Sequence, residues 1–219
     1  IDKLDNLWCA DRFLSRVVRY NTPVTDGTPT TADLVIGQPN FTSADANQNG
    51  NPAANTLNRP IGCCLDATGN LYVADEFNNR ILLYLAPLTT AMSATRVYGQ
   101  PDFTTSGTNQ GGRTANSING AVYVAIDPIT GNLYAADAIN NRMLEYTTPQ
   151  TDSTADRVFG HAGNFTTGTP NNGGISADSL LDIGGVACDA LGNVYGGDRL
   201  NSRVLRYNVT PPVPNGGGG

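Results

Sequence analysis

The residues with the clearest chemical potential are four Asp–Arg pairs at a fixed spacing. Asp11 and Arg16, Asp75 and Arg80, Asp137 and Arg142, and Asp198 and Arg203 are each five positions apart. A carboxylate and a guanidinium at this distance can form a charge-assisted, bidentate pair. Repeated four times, such pairs would make either a charged ring that holds a ligand or one structural link per unit. Recurrence in every unit favours the link: a reaction centre is asymmetric, a staple is not. The pairs are expected to be structural.

Other candidates for chemistry are sparse. His161 is the single histidine. Triads and His-based metal sites need histidine together with set partners, so His161 is read as a loop variant of the position that Gln38 and Gln100 hold. The four cysteines, Cys9, Cys63, Cys64 and Cys188, form no CxxC motif, which speaks against a zinc ribbon. They read as buried small hydrophobes or as one inter-blade disulfide. Cys63 and Cys64 point to opposite faces of a strand, so one of them would reach a partner such as Cys9; Cys9 and Cys64 are the candidate pair. Calcium is the one metal with any basis, through amide-rich loops such as 47–51 and 170–174, but those loops carry few of the carboxylates calcium needs. No cofactor is expected. Asn40, Asn164 and Asn208 start glycosylation sequons, although the corresponding middle copy has Asp102, so the Phe-Thr that follows has a structural purpose of its own.

The elements that carry these residues repeat. Leu71-Tyr72-Val73-Ala74-Asp75 returns as Leu133-Tyr134-Ala135-Ala136-Asp137, with related versions at 7–11 and 194–198, and the steps between the Asp positions are 64, 62 and 61 residues. A long fixed period signals a repeat architecture in which each unit buries its apolar face on its neighbours. Within one unit, residues 61–66, 71–75, 80–84 and 96–99 read as four short strands joined by tight turns such as Gly69-Asn70. That is the pattern of a propeller blade. The sequence therefore predicts an all-β propeller of about four blades, at about 1–37, 60–99, 121–160 and 184–209, followed by a Pro/Gly-rich tail or linker at 210–219. The first blade lacks its inner strand and the last its outer one.

The string from Gly69-Asn70 through Leu71-Tyr72-Val73-Ala74-Asp75 to Asn78-Asn79-Arg80 and Tyr84 resembles the NHL repeat. It recurs from Gly131-Asn132 to Tyr146 and from Gly192-Asn193 to Tyr207, and less closely in the first copy. The resemblance implies a β-propeller, commonly of about six blades, with mostly extracellular or interaction roles. Some propellers of this kind are lyases that hold zinc with several histidines, which this chain does not supply. Loops of about twenty residues open after the fourth strands, at Gly37, Gly99 and Gly160. They should emerge on one face, and loops of this length usually serve a function.

Bulk properties narrow the partners. The net charge is −6, and Lys3 is the only lysine. An acidic chain lacks the long-range attraction to phosphate that nucleic-acid binding relies on. No stretch reaches the roughly 18 apolar residues of a membrane helix. The function expected is a non-enzymatic, extracellular or cell-surface structural and interaction module, self-assembling head to tail into a fibril through its incomplete end blades. Its partners would be copies of itself, other surface proteins or glycans. The alternatives are a lyase- or lactonase-type enzyme with a channel metal, and a carbohydrate- or protein-binding module that uses the long loops.

Overall fold

The computed structural model describes residues 1–21 and 31–208; the expected tail at 210–219 and the side chain of Asn208 lie outside the described residues. The chain folds into four antiparallel sheets in sequence order. The first contains β1 (Leu7–Asp11), β2 (Arg16–Tyr20) and β3 (Ala32–Ile36). The second contains β4 (Pro60–Leu65), β5 (Leu71–Asp75), β6 (Arg80–Tyr84) and β7 (Arg96–Tyr98). The third is β8 (Ala121–Ile126), β9 (Leu133–Asp137), β10 (Arg142–Tyr146) and β11 (Arg157–Phe159). The fourth is β12 (Ile183–Cys188), β13 (Asn193–Asp198) and β14 (Arg203–Asn208). Strands follow one another from the inner to the outer edge of each sheet, as in propeller blades.

Strand alternation explains the packing. Each strand sends successive side chains to opposite faces, and both faces of the middle blades are covered. Tyr72, Ala74, Ile81, Leu83 and Tyr98 of the second blade pack on Leu133, Ala135, Leu144 and Tyr146 of the third. The opposite face of the second blade, with Val73, Leu82 and Tyr84, packs on Trp8, Val17 and Ile36 of the first. This is why strands such as Leu71–Asp75 are buried at every position. The inner strands approach closely: a Cβ on Gly62 would fall 2.9 Å from Tyr123 Cα, so only glycine lets β4 lie against β8.

On one face the first and second strands are joined by a repeated Asx turn. Asp66 Oδ1 accepts from the Thr68 and Asn70 amides, and Asn70 Nδ2 donates to Oδ2. Asp2 with Asn6 and Asp189 with Asn193 do the same. The third blade departs: Asn132 Nδ2 turns to the buried Glu145 carboxylate at 2.7 Å, which also accepts from Tyr134 Oη.

The disulfide expectation is corrected. All four cysteines are free thiols. Cys63 packs in the cluster between the first and second blades and Cys64 in the one between the second and third. Cys9, on the first blade, therefore has Cys63 as its neighbour and not Cys64. Burial pushes the Cys63 thiol up to about 12, with Cys9 adding to it, and pushes Cys64 well above its ordinary value. Neither is poised as a thiolate.

Candidate functional site

Each Asp–Arg pair is the hub of a wider network. Arg80 Nε donates to Asp75 Oδ2 at 2.8 Å and Arg142 Nε to Asp137 Oδ2 at 2.6 Å, with both pairs fully buried. The remaining donors hold loops. Arg80 Nη2 donates to the Ala53 and Thr56 carbonyls of the preceding long loop, and Nη1 to the Phe103 carbonyl of the following one. Arg142 repeats this with Thr114, Ser117 and Phe165. Asp75 and Asp137 also accept from the backbone amides of Asn58 and Asn119. Burial pushes both carboxyls up, against the pull of the guanidiniums. At the two ends the hub is more open: Arg16 meets Asp11 at 3.0 Å and Phe41, and Arg203 meets Asp198 at 2.7 Å with Ser176 and Ser179.

The three long loops share one internal plan. Asn47, Asn109 and Asn171 each form a reciprocal amide pair with the strand-2 to strand-3 turn of the next blade, at Asn78, Asn140 and Asn201. The amide oxygens of loops 47–51 and 170–174 that suggested calcium are thus partly spent on protein donors. At the loop start, a Cβ on Gly37 would fall 2.5 Å from Leu57 Cδ1, and Gly99 and Gly160 meet Ile118 and Leu180 in the same way. Gln38 and Gln100 donate across each loop, to Asp45 and Gly107 carbonyls. His161, at the same position, is buried with Nε2 3.0 Å from the Asn140 carbonyl oxygen. Asn40, Asp102 and Asn164 each accept from a Thr two residues on, which accounts for the shared Thr; Asn40 and Asn164 are exposed.

These contacts place the loops and the strand-2 to strand-3 turns on one face of the array. On that face all four blades border a hollow of ≈ 690 Å³, with Arg12, Glu76, Tyr123, Ile139, Asp182 and Leu200 in its wall. Two ion pairs lie at it: Arg12 of the first blade to Glu76 of the second at 2.8 Å, and Arg199 to Asp182 within the fourth. The second residue after the hub Asp is a large, exposed apolar side chain in every copy: Phe13 (76%), Phe77 (47%), Ile139 (63%) and Leu200 (61%). Arg12 lies 5.6 Å from the Phe13 ring centre and 5.8 Å from that of Phe77, and Arg59 lies 4.7 Å from Phe77. Sequence reasoning missed this rim, although its signal, an apolar residue two places after each Asp, stands in all four copies.

Among the described residues no group of three or more His, Cys, Asp or Glu is placed to hold a metal. The two carboxylates at the hollow are already paired with guanidiniums, so the residues present do not fit a channel metal. Among the described residues no helix is long and apolar enough to cross a membrane.

No protein-family model matches the chain, and no curated protein sequence does. Solved structures do. A streptogramin B lyase superimposes with a TM-score of 0.52 at 11% identity over 98% of this chain and 54% of its own. A catalytically inactive virginiamycin B lyase from Staphylococcus aureus, with quinupristin, gives 0.50 at 11% over 97% and 55%. An auxiliary nutrient binding protein from Bacteroides thetaiotaomicron gives 0.55 at 13% over 92% and 44%. The chain thus spans about half the length of these structures. The expectation of a protein without enzymatic activity is corrected by this finding, since the architecture it shares is that of a lyase as well as of a binding protein. Fold and likeness agree on one point: the chain has the blade architecture of a β-propeller.

Proposed function

We propose that this chain is an NHL-like propeller that binds a ligand through its loop-bearing face, at the hollow bordered by all four blades. One observation carries the reading. Phe13, Phe77, Ile139 and Leu200 occupy the same repeat position and are all exposed, whereas single scattered apolar residues would need no explanation. The long loops support it differently from the sequence expectation. They are clamped by Asn–Asn pairs and Arg donors, so they brace the rim and leave recognition to the turns inside it. The nutrient-binding neighbour supports binding as a role of the architecture. This reading takes the place of the self-assembling structural role expected from sequence.

The test is a set of glycan and peptide arrays probed with the full chain and with rim variants. Binding that is lost in Leu200→Ser and in Phe13→Ser/Phe77→Ser, but kept in Leu4→Ser on the opposite face, is the expected result. An absence of binding, or binding indifferent to the rim, would reject the proposal.

A second reading places enzyme chemistry at the same hollow, supported by the lyase neighbours. Incubation with quinupristin followed by mass spectrometry checks it. A chain-dependent product, lost on changing Glu76 or Asp182, would put this reading first.

A further inference from the structure

The rim does not share the acidity of the whole protein. The chain carries a net charge of −6, yet the charges that point outward at the hollow are guanidiniums. In the Arg12–Glu76 pair the arginine side chain is 36% exposed and the carboxylate 17%; in the Arg199–Asp182 pair the values are 65% and 25%. Each carboxylate sits beneath its arginine, which fixes the guanidinium and leaves its outer edge to solvent. Arg59 is exposed and lies on Phe77. No carboxylate pairs with it among the described residues. It is held in place by a ring rather than neutralised by an acid, and a cation resting on an aromatic face keeps its full charge for an incoming anion.

The apolar component has its own chemistry. Sugars stack on flat rings, and Phe13 and Phe77 would serve for that. Ile139 and Leu200 would not: branched aliphatic side chains offer no flat face and no hydrogen bond. They match the side chains of another polypeptide, and the arrangement of apolar contacts with flanking charge is that of a protein interface with a polar rim.

We propose that the rim docks an acidic, amphipathic peptide segment of a partner protein, its carboxylates on Arg12, Arg59 and Arg199 and its apolar side chains on Phe13, Phe77 and Leu200. The inference rests on the binding role proposed above and adds the chemical class of the partner. A planar guanidinium receives a carboxylate through two parallel N–H donors, so binding should depend on the arginines as arginines, and the solvent-exposed contacts between them and the peptide carboxylates should be screened by salt.

The probes are synthetic peptides that alternate Glu with Leu or Phe, the same peptides with Gln or with Lys in place of Glu, and polygalacturonate as an acidic glycan. Anisotropy titrations use the full chain at low and high salt. The acidic peptides should bind about tenfold tighter than the Gln forms, a gap that corresponds to one order in Kd, and the advantage should shrink as salt is added. Arg59→Gln and Leu200→Ser should each weaken binding with unchanged circular dichroism, and Arg59→Lys should restore only part of it. Equal binding of the Gln or Lys peptides overturns the proposal, as does binding of polygalacturonate alone. If a non-acidic probe binds and Leu200→Ser abolishes that, the binding role stands and this inference falls. If no probe binds, both fall.

Discussion

At the residue scale, burial separates four chemically identical Asp–Arg pairs into two classes. Asp75–Arg80 and Asp137–Arg142 are sealed, and each guanidinium donates four hydrogen bonds, from all three of its nitrogens. Removing one member strands a buried charge, which costs about 3–5 kcal/mol. Arg142→Met should therefore lower unfolding stability by about that amount, while Arg16→Met, beside the partly exposed Asp11, should cost about 1 kcal/mol or less. Urea titration of the two variants decides the point; equal losses would show that the end hub is as enclosed as the inner ones. The pairing itself was legible in the sequence, because a spacing of five places Asp and Arg opposite each other across the strand-2 to strand-3 turn. Their second task was not. The carbonyls that Arg80 holds lie 24 and 27 residues before it and 23 after, and backbone acceptors leave no mark on residue identity.

At the scale of elements, the turns and loops carry opposite sensitivities. In the Asx turns, hydrogen bonds led by Asn193 hold the Asp189 carboxyl down to about 2, against an ordinary 3.8. For Asp2 burial pushes upward, but the bonds from Trp8 and Asn6 with the backbone amides outweigh it, and the result is again about 2. A depressed native value means that the native state binds its proton more weakly than the unfolded chain. The stabilisation is complete above pH 3.8 and is lost as pH falls toward 2. Protection of the Leu191 and Asn193 amides, measured against their intrinsic exchange rates, should fall across that window, and Asp189→Asn should remove the pH dependence there. The loop clasps behave otherwise. Asn109→Ala would remove the amide pair while Arg113 and Asp137 still hold Asn140, a cost of about 1 kcal/mol, and limited proteolysis should open residues 99–120 first. The long loops were legible in the sequence as shared features of one face, from their common position after the fourth strand. Their amide pairs join residues 30 or 31 apart, beyond any local pattern. The cysteine pairing failed for a related reason: alternation says that Cys63 and Cys64 part company, but which one turns toward the first blade depends on strand register.

At the scale of the molecule, the blades stabilise one another by contact between neighbours. Ile81 and Val204 hold the same repeat position, the first fully buried between the second and third blades, the second 69% exposed on the fourth. Ile81→Ala should cost about 2–5 kcal/mol, and Val204→Ala within about 0.5 kcal/mol. Thermal melts of the two would compare them directly, and a large loss at Val204 would mean that this face is covered in solution. The blade order and strand pattern could be read from the four copies, since repetition supplies its own internal comparison. The rim left a repeated mark, an apolar residue two places after each hub Asp, but Phe13 and Leu200 look like ordinary core residues until the structure turns them outward.

The reciprocal asparagine pairs have one more consequence. An amide pair has no charge of its own, but each turn asparagine also donates to the hub carboxylate, Asn78 to Asp75, Asn140 to Asp137 and Asn201 to Asp198, so the clasp that sets each loop against the next turn is anchored on the hub ion pair. The guanidinium–carboxylate pairs of the rim are partly exposed and are screened by salt. The frame thus stands on enclosed ion pairs and the rim on exposed ones, so added salt should weaken the charge the rim displays before it reaches the inner hubs that space the loops.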